Sequence, residues 1–253
     1  MTTFTRRDAL FVLLAPLGCA AARRAPAQPA PGALPRPTRR LKVLVAGGHP
    51  DDPESGCGGT VARYVDAGHE VVIAYLTRGE AGIEGKPHDE AARIRTAEAE
   101  RGSAILGASP RFLGQIVGDT RVDAAAYAAM RELVARERPD VILTHWPVDT
   151  HRDHRAASLL AYDAWLGSGR TAALAYFEVL TGDQTQTFRP TDYVDITPVA
   201  RRKRDSVFAH VSQKPDEWYP AHERMARFRG MELGVEQAEA FVRHERGPAL
   251  PLP

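Results

Sequence analysis

Four short apolar runs constrain the fold of this chain more than any other feature of its sequence. Each is about as long as a strand and lacks the polar and apolar alternation of a strand with one face in water. They are LKVLVAGG (41–48), HEVVIAYLT (69–77), DVILTHWP (140–147) and ALAYFEVL (173–180). Because strands of this kind are covered on both faces, we expect helices on both sides of the sheet.

The segments between these runs have the apolar spacing of helices. We predict helices at 56–68, 90–107, 124–139, 153–169, 199–213 and 222–234, with one further short strand in PRFLGQI (110–116). Strands that alternate with helices predict a single α/β domain with a doubly wound, mostly parallel sheet flanked by helices, which is a Rossmann-like fold. In such folds ligands bind beyond the carboxyl ends of the strands.

The N-terminal segment is typical of an export signal. Arg6 and Arg7 precede an apolar stretch, residues 9–22, that is too short to span a membrane and rich in small residues at its end. The string TRRDALFVLL is similar to a twin-arginine signal, so we expect export to the periplasm or cell envelope. The open alternative is a chance arginine pair before a membrane anchor, and Cys19 weakly suggests a lipidation site.

Composition separates this segment from the body of the chain. Residues 1–22 are assigned to the signal, the proline-rich residues 23–40 to a linker, and residues 41–253 to the folded domain, which is not expected to span a membrane. The first 40 residues contain seven Arg and one acid, so the rest carries a net charge of about −5. A mildly acidic body without a basic stripe argues against a nucleic-acid partner and leaves the oligomeric state open.

Two clusters of His and Asp follow two of the predicted strands. The first, HPDD, contains His49, Asp51 and Asp52, and the second, HWPVDTHRDH, contains residues 145–154. Because both follow strands of one parallel sheet, we expect them to meet at the same edge. Two imidazoles and a carboxylate are a common ligand set for zinc in hydrolases, and a further carboxylate can take a proton from water. The sequence therefore predicts a metal-dependent hydrolase.

The residues alone do not assign every role in these clusters. One of Asp51 and Asp52 can bind the metal while the other faces the water. In the same way, one of His151 and His154 can bind the metal while the other reaches the substrate, and Asp153 can orient an imidazole. The alternative for Asp52 by itself is a helix N-cap.

These strings resemble the PIG-L/LmbE-like family of zinc-dependent N-acetylglucosaminyl deacetylases. The resemblance covers roughly residues 41–245 and is most specific in the combination of HPDD with DTHRDH. It implies that the metal ligands are His49, Asp52 and His154. It also implies that Asp51 is the general base, with His151 stabilising the oxyanion and Asp153 orienting His151.

The resemblance implies two substrate contacts as well. Arg95 matches an arginine that contacts the sugar, although an ion pair with Glu98 or Glu100 on the same helix is an alternative. Asp119 matches an acid in the substrate loop, but the surrounding GQIVGD departs from the family's form. The expected cofactor is Zn²⁺, and His and carboxylate ligands also accept another divalent metal such as Fe²⁺.

The implied activity is removal of the acetyl group from an N-acetylglucosamine-type amino sugar or its glycoconjugate. One alternative is a metal-dependent amidase that acts on another amide, such as a thiol conjugate or a natural-product amino sugar. The other is a nucleotide-binding module without catalysis, although GGHPDDPESGCGG is not a GxGxxG motif and its acids would repel a phosphate.

Four further residues have open roles. His145 can line the pocket or only end a strand, and His210 can reach the site from the C-terminal region or serve the core. Trp146 can stack on a sugar or belong to the core. Cys57 is expected to be a small buried residue rather than a metal ligand.

Overall fold

Seven strands form one sheet in the computed structural model, which describes residues 39–253. The strands are β1 (Lys42–Gly47), β2 (Glu70–Thr77), β3 (Ser109–Gln115), β4 (Val141–His145), β5 (Ala173–Phe177), β6 (Asp192–Asp195) and β7 (Ala238–Arg243). Their order is β3-β2-β1-β4-β5-β7-β6, and the first five are parallel. The predicted mostly parallel sheet is confirmed.

Six α-helices accompany the sheet within residues 39–253. They are α1 (Asp52–Asp66), α2 (His88–Leu106), α3 (Ala124–Glu137), α4 (Arg152–Gly167), α5 (Ala200–Phe208) and α6 (Pro215–Leu233). Single 3₁₀ turns lie at Thr197–Val199 and Val211–Gln213. Within this part of the chain, no helix has the length and apolar character needed to cross a membrane.

The two faces of the sheet bury separate apolar cores. Along β1, Val43 and Val45 pack into the core shared with α1 and α2, whereas Leu44 and Ala46 pack into the core shared with α3 and α4. Successive side chains of a strand point to opposite faces, so both sets must be apolar. This double coverage explains why the strand runs show no alternation, and the described residues belong to one compact unit.

Several element boundaries differ from those predicted. Helix α1 begins at Asp52 rather than at residue 56, because the chain turns into the helix directly after the HPDD string. Helix α6 begins at Pro215 rather than at residue 222 and continues through Pro220. The helix predicted at 199–213 ends at Phe208, and β5 ends at Phe177 rather than at residue 180.

Two strands were not predicted. β7 pairs antiparallel with β5, and β6 pairs antiparallel with β7 at the edge of the sheet. Their sequences, DYVD and AEAFVR, are short and carry charged residues, so they lack the continuous apolar pattern of the buried parallel strands.

Helix α1 is interrupted at Cys57, whose backbone (φ −142°, ψ 19°) is not helical. Two glycines near this interruption pack closely against β5 and the residue that follows β6. A Cβ on Gly56 would come within 2.6 Å of Phe177, and one on Gly59 within 2.6 Å of Ile196. Tight packing, rather than approach to a ligand, therefore requires these glycines.

The sheet positions the two predicted clusters side by side. β1 and β4 are adjacent and parallel, with Ala46 opposite Thr144. The chain winds outward from β1 in one direction and from β4 in the other, so these strands flank the topological switch point where open α/β sheets bind ligands. The predicted export signal, Cys19 and all of the linker except residues 39 and 40 lie outside the described residues.

Candidate metal and catalytic site

Five buried side chains form what we call the His–Asp cluster at the carboxyl ends of β1 and β4. They come from the turn after β1, the loop after β4 and the first turn of α4, and they are His49, Asp52, Asp149, Asp153 and His154. The sequence placed four of the five in a metal site and left Asp149 without a role. Its position in the same HWPVDTHRDH string was the signal that could have identified it.

The Asp52 carboxylate lies at the centre of the cluster. Its Oδ2 atom is 3.1 Å from Nδ1 of His49 and 3.2 Å from Nε2 of His154. The second nitrogen of each imidazole faces another carboxylate. Nε2 of His49 is 2.9 Å from Oδ2 of Asp153, and Nδ1 of His154 is 3.1 Å from Oδ1 of Asp149.

These residues fit a bound divalent cation. Imidazoles that bind metals usually pair their other ring nitrogen with a carboxylate, and both imidazoles of the cluster have such a partner. Two overlapping groups of potential ligands share His154, namely His49, His151 and His154, and Asp52, His145 and His154. In each group the potential ligand atoms lie within 4.8 Å of one another. The predicted ligands His49, Asp52 and His154 all belong to these groups.

Charge also favours a cation at this point. Burial by itself lowers the pKa of His49 and His154, but Asp52 acts together with Asp153 on His49 and with Asp149 on His154, and the net effect raises the pKa of His49 to about 9 and of His154 to about 10. In return, these imidazoles hold the pKa of Asp52 well below its usual value despite its burial. A carboxylate that attracts protons to two imidazoles attracts a metal cation for the same reason, and the metal would displace those protons.

Asp51 lies beside the cluster in a strained backbone conformation. Its φ of 102° is uncommon for a residue other than glycine, and such strain concentrates at functional sites. The Glu54 carboxylate accepts a hydrogen bond from the Asp51 backbone N–H at 3.3 Å. Burial raises the pKa of Asp51 to about 6, although Arg95 opposes the shift. A carboxyl group with this pKa can exchange a proton near neutral pH.

Arg95 enters the site through Asp51. Its Nη2 donates to Oδ2 of Asp51 at 3.0 Å and to the carbonyl of Pro50, and the residue is 4% exposed. The alternative ion pair with Glu98 or Glu100 does not form, since Glu98 instead accepts from Ser212. Gly79, at φ +73°, makes room for Arg95, because a Cβ there would lie 2.5 Å from the arginine side chain.

His151 and Asp153 reach the site, but not as the predicted pair. His151 is the N-cap of α4, and its Nδ1 accepts from the backbone N–H of Asp153 at 3.2 Å. The Asp153 carboxylate contacts His49, the Gly118 N–H and the Thr120 hydroxyl rather than the His151 ring. In this structure Asp153 therefore orients His49.

The tautomer of His151 follows from this contact. Because its Nδ1 accepts a hydrogen bond, its proton lies on Nε2, and burial lowers its pKa, which favours the neutral ring. His151 can thus donate from Nε2 without carrying a charge. Its ring lies 4.6 Å from that of His49 and 4.8 Å from that of His154, between centroids.

Asp119 is not brought into the cluster. Its side chain is 72% exposed and faces Arg121 at 3.6 Å, and it borders a separate hollow of about 440 Å³ that none of the predicted metal ligands lines. Its neighbours Gly118 and Thr120 contact the Asp153 carboxylate. The structure therefore brings this loop to the site but turns the predicted side chain away from it.

The residues with open roles are also placed. His145 is fully buried, accepts from the Gly48 N–H at 3.0 Å and stacks on His154 at 4.1 Å between centroids. His210 lies behind the site, with its Nε2 3.3 Å from Glu54. Cys57 is a buried free thiol whose pKa burial raises well above its usual value, which disfavours the thiolate that binds metals.

A cavity of about 310 Å³ opens beside the two aspartates. Its walls come from α1, the segment after β5 and the region around the start of α6. The lining residues are Asp51, Asp52, Ser55, Val179, Leu180, Asp183, Gln184, Gln213, Trp218 and His222. Sequence reasoning assigned none of the last eight, because their separation along the chain leaves no local motif.

Comparison with known proteins agrees with this geometry. The family model described as PIG-L, GlcNAc-PI de-N-acetylase, matches residues 44–165. The diacetylchitobiose deacetylase of Thermococcus kodakarensis is 32% identical over 219 residues, which cover 79% of this chain and 82% of the relative. A 1D-myo-inositol 2-acetamido-2-deoxy-alpha-D-glucopyranoside deacetylase of Kineococcus radiotolerans is 31% identical over 180 residues, covering 54% of this chain and 50% of the relative.

A solved structure has the same fold. The N,N'-diacetylchitobiose deacetylase of Pyrococcus horikoshii matches with a TM-score of 0.72 and 25% identity, covering 82% of this chain and 87% of that one. The predicted family resemblance is thus confirmed over both the cluster-bearing half and most of the remaining domain. This chain belongs to the PIG-L family of de-N-acetylases.

Proposed function

We propose that this chain is a metal-dependent N-deacetylase that hydrolyses the acetamide of an N-acetylglucosamine-type sugar. The observation that carries this proposal is the His–Asp cluster, in which both imidazoles that face Asp52 have a second carboxylate on their other nitrogen. Relatives named as deacetylases of diacetylchitobiose and of an inositol-linked acetamido sugar support the substrate class.

His49, Asp52 and His154 would hold the metal, and Zn²⁺ is the ion we favour because two imidazoles and a carboxylate suit it. A cation bound there supplies Lewis acidity toward a carbonyl oxygen and lowers the pKa of water. Fe²⁺ is the second candidate, since the same ligands accept it. Asp149 and Asp153 keep the two imidazoles in their orientations.

Asp51 would take the proton from the attacking water. It borders both the cluster and the 310 Å³ cavity, and its pKa of about 6 leaves it ionised at neutral pH. Arg95 holds this carboxylate through Nη2 and opposes its protonation. The Asp51 side chain therefore receives the proton that the amine leaving group requires later in the reaction.

His151 would stabilise the negative charge that develops on the amide oxygen. Its Nδ1 accepts from the Asp153 N–H, so Nε2–H would be the donor to the amide oxygen. Burial lowers the pKa of His151, which supports a neutral imidazole rather than a charged one. A neutral donor performs the same stabilisation and leaves proton transfer to Asp51.

The decisive experiment is an assay of acetate release on a panel of N-acetyl sugars, with the metal content measured on the same protein. We expect turnover of N-acetylglucosamine or N,N'-diacetylchitobiose, loss of activity after chelation and recovery with Zn²⁺. A protein that binds no metal and whose thermal stability does not change on chelation contradicts the proposal. Turnover of only another class of amide, such as a thiol conjugate, would favour the amidase alternative.

We also propose that the protein is exported to the periplasm or cell envelope. The Arg6–Arg7 pair and the short apolar stretch at 9–22 support this proposal. An envelope location favours glycans or glycoconjugates as substrates. Cell fractionation with mass analysis of the N-terminus tests it, and an unprocessed cytoplasmic protein would contradict it.

A further inference from the structure

The cavity beside Asp51 and Asp52 has a second wall formed by the region around the start of α6. Gln213, Trp218 and His222 face the aspartates across a space of about 310 Å³. This volume lies at the low end of small-molecule sites, which span about 300–1,000 Å³. The space is therefore large enough for a small ligand such as a short saccharide.

The Trp218 ring is fixed in orientation but still accessible. Its indole Nε1 donates to the Gln213 carbonyl at 2.9 Å, and Gln213 in turn donates through Nε2 to the Gly82 carbonyl at 3.0 Å. His222 meets Trp218 at 5.3 Å with the ring planes 72° apart, so it does not stack in parallel on the indole. Trp218 is half-buried and lines the cavity. A fixed indole is a suitable surface for the apolar face of a sugar ring.

Trp146, the tryptophan that the sequence offered for stacking, lies elsewhere. It contacts Tyr176 and Phe188 edge to face, and its Nε1 donates to the Gln186 carbonyl. It borders a different hollow, together with Tyr162 and Tyr176, away from the aspartates.

The third wall, the segment after β5, is anchored from both sides. Glu178 forms a buried bidentate ion pair with Arg229 of α6, at 2.7 and 2.9 Å. Thr185 donates to Asp149 of the His–Asp cluster at 3.0 Å. Between these anchors Leu180, at φ +50°, turns the chain so that Asp183 reaches the cavity. The wall is thus held in place without a ligand.

The charges of the lining exclude anions. Asp51, Asp52 and Asp183 border the cavity, and none of the described residues that line it is Lys or Arg. Burial lowers the pKa of His222 to about 3, so its ring is neutral. A phosphate beside the Asp183 carboxylate would be repelled by it and would find no Lys or Arg among the described residues that line the cavity. Hydroxyl groups, by contrast, can donate to the exposed Asp183 carboxylate.

We propose that this cavity binds an uncharged amino-sugar glycoside, with Trp218 stacking on the sugar ring and Asp183 accepting hydrogen bonds from the sugar hydroxyl groups. The inference rests on the proposed deacetylase function and narrows it. It assigns Trp218 and Asp183 as residues that determine specificity, and it excludes sugars that carry a phosphate near the acetamide.

The test compares Trp218→Ala with Phe228→Ala, which removes an aromatic ring from the same helix at a 50% exposed position outside the cavity. We expect Trp218→Ala to raise the KM for N,N'-diacetylchitobiose at least about tenfold, with kcat within about twofold of the wild type, because the ring binds substrate without reaching the acetamide. Trp218→Phe should recover part of the loss. Phe228→Ala should match the wild type.

A second experiment tests whether the cavity discriminates against a phosphate group. We expect the methyl glycoside of N-acetylglucosamine to be used at least about tenfold better than N-acetylglucosamine 1-phosphate, and Asp183→Asn to narrow this ratio. Equal use of the two sugars, or an unchanged KM in Trp218→Ala, overturns the inference.

A binding measurement separates failure of this inference from failure of the proposed function. Calorimetric titration of the methyl glycoside into Asp51→Asn, with and without Trp218→Ala, reports sugar binding without turnover. If the wild type releases no acetate but the sugar binds through Trp218, the proposed function fails and the binding site stands. If acetate is released and Trp218 affects neither binding nor KM, only this inference fails.

Discussion

Two groups of buried charged side chains lie along α1, and they differ in how completely their charges are paired. At the start of the helix, the His–Asp cluster gathers three carboxylates and two imidazoles, with Asp52 at its centre. Near the interruption at Cys57, Lys203 and Glu239 form a single ion pair at 2.6 Å. Both groups are shielded from water, so each must offset the cost of burying charge.

The Lys203–Glu239 pair offsets this cost within the protein. Glu239 also accepts from the backbone N–H groups of Gly59 and Thr60, at 2.8 and 2.7 Å, where the helix resumes after its interruption. Burial by itself lowers the pKa of Lys203, but Glu239 outweighs it and raises the pKa above its usual value. Every strong contact of this pair is therefore structural.

The His–Asp cluster, in contrast, has potential ligand atoms that could also bind a metal cation. Both of its imidazoles converge on Oδ2 of Asp52, and the adjacent Asp51 combines a strained backbone with a raised pKa. Buried charge alone therefore does not identify a functional site, because both groups have it. Convergent ligands next to a strained, titratable residue distinguish one.

We expect the strongest loss of activity from a substitution beside the His–Asp cluster. Asp51→Asn should reduce kcat by about 10²–10⁴-fold, because it removes a proton acceptor. Asn tolerates a positive φ, so the fold and the metal content should remain. Steady-state kinetics with metal analysis checks this, and a variant that keeps most of its activity would show that Asp51 is not the base.

Glu239→Gln tests how much the Lys203–Glu239 ion pair contributes to stability. It leaves Lys203 buried without a counter-charge and should lower the free energy of unfolding by about 3–5 kcal/mol. Lys203→Met combined with Glu239→Gln should recover part of that loss, because no unpaired charge remains. Urea denaturation measures both. If the folded Glu239→Gln protein loses its metal, the two groups are coupled through α1, and the ion pair is not purely structural.

Arg95→Met tests whether Arg95 lowers the pKa of Asp51. Activity requires ionised Asp51, so the rate of the wild type should fall as the pH drops through about 6. The guanidinium lowers the pKa of Asp51, and its removal should raise that pKa by about one unit or more. The acid limb of the pH–rate profile should move to higher pH by the same amount. An unmoved limb with a raised KM would assign Arg95 to the substrate instead.

The smallest effect is expected at Asp119. Because its side chain is 72% exposed and faces Arg121 rather than the cluster, Asp119→Asn should change kcat and KM by less than about twofold. The matched change Asp183→Asn, at an exposed residue that lines the cavity, should have a larger effect on KM. A tenfold loss in Asp119→Asn would return that residue to the substrate site.

The parallel sheet, the edge at which the site lies and the residues that form most of the His–Asp cluster could all be predicted from the amino-acid sequence. Short continuous apolar runs that alternate with helical segments indicate parallel strands buried on both faces, and the carboxyl ends of such strands share an edge. Local strings such as HPDD and HRDH were therefore sufficient. The antiparallel strands β6 and β7 were not predicted, because short strands with charged residues carry no comparable pattern.

The partner that each side chain contacts could not be predicted in this way, because it depends on how distant parts of the chain pack together. Asp153 pairs with His49 across 104 positions, Arg95 with Asp51 across 44, and Trp218 faces the two aspartates from the region around the start of α6. Asp119 turns outward although its neighbours reach the site. Contacts of this kind depend on the packing of distant elements and on side-chain direction, and neither is encoded in the local spacing of residues.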